Sequence, residues 1–176
     1  MILSQDENTR SLVTVEYAHR EIHSGSSFQV MGRKDQEISH CRDIQIYCGA
    51  KDMHLTFAAM CEKETIVRFY EDVTFALAGT AFTPLNKNRV STNTSLASIA
   101  VIDNASVADA TTDTPIASAT VLEDFSIIEG KQGGGSGGSR EEWVLKPGKL
   151  YSLRFESTVA GVVSYWLDWY EHTSKE

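Results

Sequence analysis

His19 and His23 stand four residues apart. On a helix that spacing puts two imidazoles on one face, as zinc ligation requires. The segment HREIH lacks the HExxH order, and His19-Arg20-Glu21-Ile22-His23-Ser24-Gly25 reads as a polar corner between strands, which sets the two rings apart. Cys41, Cys48 and Cys61 add soft ligands, but no CxxC pair occurs and Cys41-x6-Cys48 is a poor chelate spacing. Three cysteines cannot all pair within one chain, so reduced, half-buried thiols are expected. No metal and no cofactor is expected.

The remaining chemical motifs fail on spacing. The glycine run at 133–138 ends in Ser139-Arg140 and is followed by acids, whereas a phosphate loop needs GxxxxGK and then Ser or Thr. Ser24-Gly25-Ser26 is not the G-x-S-x-G of a nucleophile elbow. Glu141 and Glu142 are adjacent, so on a strand they face opposite ways and cannot act as a carboxylate pair. The chain reads as a non-enzyme.

The elements that would position any site are strands. The richest stretch is EEWVLKPGKLYSLRFESTVAGVVSYWLDWYEHT, read as a three-stranded meander broken at Lys146-Pro147-Gly148 and at Thr158-Val159-Ala160-Gly161. Tyr151, Leu153 and Phe155 alternate with Ser152, Arg154 and Glu156, which predicts one buried face. Val163, Tyr165, Leu167 and Trp169 share one face of the last strand, and Val162, Trp166 and Tyr170 share the other. All three tryptophans, Trp143, Trp166 and Trp169, lie here. Two apolar faces predict cover on both sides, by a core and by a further sheet or chain. An exposed Trp166–Tyr170 pair would stack on a sugar or anchor an interface.

Upstream, residues 1–10 are polar and read as a flexible or docking arm ahead of a single β domain at 11–173. Leu12, Val13, Val15 and Tyr17 predict a strand. Another short strand is expected at 27–31, with a charged turn at 32–40. Ile44, Ile46 and Cys48 predict a third strand, and 54–59 with 65–70 a hairpin. From 71 to about 120 small and polar residues dominate, with a strand at 96–102 and 104–115 expected as a long excursion on the surface. Asn86-Lys87-Asn88-Arg89 reads as a turn, with Arg89 free to meet an acid of a neighbouring subunit. Strand-like composition returns at 119–128. Roughly ten short strands without a helix predict an all-β antiparallel sandwich or barrel, jelly-roll-like.

Composition narrows the partners. The 176 residues are 41% hydrophobic with a net charge of −8. Nucleic acid is not expected as a direct partner, because a binder needs clustered basic residues. No apolar run approaches the roughly 20 residues of a membrane span. The opening MILSQDENTR has no basic region followed by an apolar run, so cytoplasmic synthesis is expected.

Several fragments together resemble a family of small structural proteins of tailed bacteriophages. They are YAHREIHSGSSF, GAKDMHLTF, RFYEDVTFALAGTAFTPLNKNRVSTNTS, EEWVLKPGKLYSLRFES after the glycine run, and SYWLDWYE. The matches at Glu21-Ile22-His23, Thr83-Pro84, Asn86, Asn88-Arg89, Asn93-Thr94, Trp143, Leu145-Lys146-Pro147 and Trp169-Tyr170-Glu171 fall in order across about 17–171. One departure is Glu71-Asp72-Val73-Thr74, where the family reads EGT. The resemblance implies a capsid decoration or cement protein on the outer surface of the virion head. Its partners would be the major capsid protein and two further copies of itself in a homotrimer. Asn86, Asn88, Arg89, Trp143, Trp166, Trp169 and Tyr170 are the expected subunit interface. Leu3, Gln5, Asp6 and Arg10 are the expected capsid contact. The alternative is a tail or fibre component that binds host carbohydrate.

Overall fold

The computed structural model describes residues 2–5, 12–15, 17–38, 40–75, 78–106, 119–128, 132–133, 142–157 and 159–172. Its strands are β1 (Ile2–Gln5), β2 (Leu12–Val15), β3 (Ser27–Gln36), β4 (His40–Tyr47), β5 (Asp52–Cys61), β6 (Thr65–Glu71), β7 (Thr80–Phe82), β8 (Leu85–Asn86), β9 (Ser98–Ser106), β10 (Thr120–Ile127), β11 (Gln132–Gly133), β12 (Trp143–Leu145), β13 (Leu150–Ser157) and β14 (Gly161–His172). One helix, α1 (Tyr17–Ser24), precedes β3. Sheet I has the order β11-β5-β14-β3-β8, with β12 also on β5, and sheet II the order β10-β6-β13-β4-β9-β7. The two pack as a sandwich, not a closed barrel. β1 and β2 pair separately.

The pairings describe one long ribbon wrapped on itself. Strands β3, β4, β5 and β6 run outward, and each is met antiparallel by a returning strand: β14, β13, β11 with β12, and β10. Successive strands alternate between the sheets, so wrapping brings β14 against β5 and β13 against β6. That is jelly-roll connectivity. It overturns two local expectations. The predicted meander β12–β13–β14 crosses from sheet I to sheet II and back, and the predicted hairpin β5–β6 also crosses between sheets.

The inner faces follow the alternation read from sequence. Val163, Tyr165, Leu167 and Trp169 of β14 face Ile44 and Ile46 of β4, Phe69 of β6, and Tyr151, Leu153 and Phe155 of β13 across one core. Ring pairs lock the layers, with Phe57–Phe69 centroids at 5.5 Å and Phe155–Tyr165 at 5.9 Å. Gly32 sits opposite Tyr165 in the ladder, and a Cβ there would lie 2.4 Å from the phenol oxygen. β3 thus continues to Gln36 where a charged turn was expected. Its Arg33, Lys34 and Asp35 are exposed rather than turning the chain. At this end the core closes on charge: buried Arg42 donates to Asp103 at 2.7 Å and to the Asp35 carbonyl at 3.1 Å.

Both faces of β13 are buried, not one. On its outer side Arg154 forks onto Asp43, Nε to Oδ1 and Nη2 to Oδ2, both at 2.7 Å, while Ser152 donates to Asp43 at 2.9 Å. The two charged side chains are 2% and 4% exposed. Arg154 Nη1 lies 3.8 Å from Glu156, Glu156 accepts from Arg68 at 2.7 Å, and Arg68 meets Asp124 at 3.2 Å. Alternating charge therefore crosses four strands, and the acids offset the like charges of Arg154 and Arg68, which are direct partners in the ladder.

The excursion begins and ends at partnered residues, since Glu71 is paired with Thr120. The stretch expected on the surface, 104–115, falls largely outside the described residues. β9 lies along β4 and sends Ile99 and Val101 into the core. At its start Asp72 has φ 60°, a left-handed conformation that glycine adopts at least cost. The Asp72 carboxylate pairs with Lys149 at 2.7 Å.

The cysteines are free and fully buried rather than half-buried. Burial pushes the Cys41 thiol up to about 12, with Asp43 adding to the rise and Arg154 opposing it. Burial also takes Cys48 to about 11 and raises Cys61. Because the thiolate is the reactive form, all three are expected to be inert to a disulfide reagent at pH 8 in the folded protein. All three should react promptly in guanidinium. Fast labelling of the native chain would show that these thiols are reachable without unfolding.

Candidate functional site

The expected corner at 19–25 is helix α1. Its end is a Schellman closure: Gly25 N–H donates to the Ile22 carbonyl at 3.0 Å and Ser26 N–H to the Glu21 carbonyl at 3.1 Å. Gly25 takes φ 75°, and a Cβ there would meet Ser91 Oγ at 2.3 Å. Glu21 is buried and accepts from the hydroxyls of Ser24, at 3.4 Å, and Ser26. The sequence signal was present in Gly25 following a histidine in the last turn. It was masked by the shortness of the helix and its weak apolar stripe.

Against this corner lies the loop after β8. Asn86 is buried, and its Nδ2 donates to the Gly25 and Asn93 carbonyls at 2.9 and 3.1 Å. Asn88 N–H donates to Asn86 Oδ1 at 2.9 Å, and Asn88 Nδ2 donates to the His23 carbonyl at 3.0 Å. Arg89 is exposed and donates to the Asn86 carbonyl at 3.3 Å. Glu171 closes the cluster. Its carboxylate accepts from Leu96 N–H at 2.9 Å, Ala97 N–H at 3.2 Å, Ser95 Oγ at 2.5 Å and the Trp169 indole at 3.0 Å. Residues of 21–25, 86–89, 93–97 and 169–171 therefore meet in one place, and their polar atoms tie the excursion to the sandwich. Asn86 and Asn88 spend their amides within the chain.

The tryptophans divide three ways. Trp169 is 1% exposed and lies in the core, so it has no surface for a neighbouring subunit. Trp143 is half-buried against Phe69, and its indole donates to Glu123 at 2.6 Å. Trp166 points outward from the centre of sheet I. Among the described residues no further sheet lies on this face of β14: Val162, Ser164, Trp166, Asp168 and Tyr170 are all partly exposed. In the ladder Trp166 is flanked by Met31 and Ala58, and Ser164 by Arg33 and Met60. Met31 is 57% exposed and Met60 46%. Two adjoining depressions, one along Met31, Arg33 and Trp166 and one along Arg33, Met60 and Val162, make a shallow groove across the strands. On the same face of β14, Asp168 pairs with Lys87 at 3.2 Å. The methionines were not identified from sequence, because Met31 lay in a presumed strand end and Met60 next to a presumed turn.

Tyr170 belongs to a different group. Its ring stacks on His54 at 4.6 Å, and its hydroxyl donates to Glu142 at 2.7 Å. His54 Nδ1 meets the same carboxylate oxygen, and His54 Nε2 lies 2.6 Å from His172 Nε2. Neither histidine was singled out from sequence, although their outward positions on β5 and β14 follow from the alternation of the buried residues beside them.

Leu3 and Gln5 lie in β1, and Asp6 and Arg10 fall outside the described residues. No helix among the described residues is long and apolar enough to cross a membrane. Comparison with protein families, with curated proteins and with solved structures finds no match.

Proposed function

We propose that this chain is a structural protein of a tailed bacteriophage virion, a decoration protein on the outer surface of the head that bridges capsomers as a homotrimer. The observation that supports this best is the outward face of sheet I. A tryptophan with methionines beside it at the centre of a polar-rimmed sheet has the composition of an interface core, where aromatic residues and methionine are enriched. In this reading Trp166 and Met31 lie between copies. The 1–10 segment, with Leu3, Gln5, Asp6 and Arg10, reaches the major capsid protein. The net charge of −8 suits an exterior position, since packaged DNA repels an acidic chain. The protein would be made in the host cytoplasm and held there until the shell presents its site.

Trimerisation multiplies one modest contact by three, a gain of about 10²–10⁴ in avidity. The Trp166→Glu chain is therefore expected to sediment as a monomer and to lose about 10²–10⁴-fold in affinity for emptied phage heads. The wild-type chain should sediment as a trimer and add knobs at threefold positions in images of those heads. A wild-type monomer that ignores heads overturns the reading. If that monomer instead binds tail tips or host glycans, the face with Trp166 and Arg33 is a sugar-stacking surface of a tail or fibre component.

A further inference from the structure

We propose that His19 and His23 form a chelate for a divalent transition-metal ion of the zinc and copper class. Where the sequence reads as a corner between strands, the structure has α1. Both side chains are exposed, on consecutive turns of one helical face, with Nε2 atoms 3.0 Å apart. If two imidazole nitrogens at this separation aim at one ion about 2.1 Å from each, they subtend roughly 90° and their ring centres fall roughly 4.6 Å apart. The centroids are 4.7 Å apart. The nitrogen and ring spacings are thus those of two ligands to one ion, although without an ion the two rings share a hydrogen bond.

The second histidine pair is a useful contrast. With nitrogens 2.6 Å apart, rings aimed at one ion would have centres roughly 4.0 Å apart. The His54 and His172 centroids stand at 4.5 Å, so these nitrogens face each other and share a hydrogen bond. Both pairs share a ring-to-ring hydrogen bond, and only the helix pair has the nitrogen spacing of two ligands to one ion.

The local fold holds the site in place. The Schellman closure and the Asn88 bond to the His23 carbonyl fix the last turn of α1. Among the described residues no set of three or more acid, cysteine or histidine side chains gathers around a possible ion. Water would fill the remaining positions in the isolated chain. Ligation needs neutral imidazole, so affinity falls as the solution is acidified. For a site of two nitrogens, copper should bind more tightly than zinc.

The test is calorimetric titration of the whole chain with Zn²⁺ and with Cu²⁺ at pH 7.5, with circular dichroism to check folding. One ion per chain is expected. His19→Gln and His23→Gln should each weaken binding more than the roughly 10–100-fold that loss of an outer partner costs at a metal site. His172→Gln should bind as wild type. No heat of binding from the wild-type chain, or unchanged binding by the two α1 variants, overturns the proposal. A loss that follows His172→Gln instead would place the ion on the strand pair and overturn it equally.

Discussion

Asp43→Ala is expected to cost about 3–5 kcal/mol, because it leaves the guanidinium of Arg154 buried without its counter-charge. The loss exceeds that of a surface pair, about 0–1 kcal/mol, since neither side chain reaches water. Arg154 already has one nitrogen, Nη1, without a hydrogen bond, and Glu156 stands 3.8 Å from it. Removing Asp43 thus strips both bonds of the fork and leaves a remote partial substitute. Guanidinium denaturation measures the change directly. The double variant Asp43→Leu with Arg154→Met is expected to recover most of the loss, because an apolar pair needs no desolvated charge. A loss under about 1 kcal/mol for Asp43→Ala would mean that water reaches this pair in solution.

Glu171→Leu is expected to cost about 2–4 kcal/mol and to loosen one loop in particular. Four donors converge on that carboxylate, and two of them, the Trp169 indole and the Ala97 amide, are deeply buried. A buried donor left unpaired costs about 1–3 kcal/mol. The local signature separates this from a general loss of packing. Hydrogen exchange at the Leu96 and Ala97 amides should accelerate well beyond the change at Leu153 in the core. Uniform acceleration across the chain would show that Glu171 stabilises the sandwich without holding the loop. Glu171→Gln keeps one acceptor oxygen and should fall between the two.

These two sites show what the sequence carried and what it did not. The buried alternations were legible: Ile44 and Ile46, Tyr151 to Phe155, and Val163 to Trp169 all point inward as their period of two requires. The bounds of the excursion were legible too, because composition changes where β6 ends. What period alone could not supply was pairing. Three strands in succession look like a meander whether they share a sheet or alternate between two. Nor does a charged residue opposite an apolar one announce burial. Arg154 reads as solvent-facing until Asp43, over a hundred residues away, is placed beside it. The same distance hid the candidate site. Trp166 was visible, but its neighbour Met31 comes from β3 and is joined to it only by the wrapped ribbon.

The wrapped ribbon also governs how fast the chain can reach this state. β14 is an inner strand of sheet I, and the hydrogen bond from Ser27 to the Trp169 carbonyl closes a separation of 142 residues. Most of the sandwich's ladders are non-local in this way, and such contacts pay loop-closure entropy before they return any stability. Refolding is therefore a slow process, in the millisecond-to-second range of β-sandwich topologies. Until β14 docks, β3 and β5 have bare edges in a half-formed sheet that already holds Phe28, Leu55 and Phe57. That interval is when one chain is most able to pair with another.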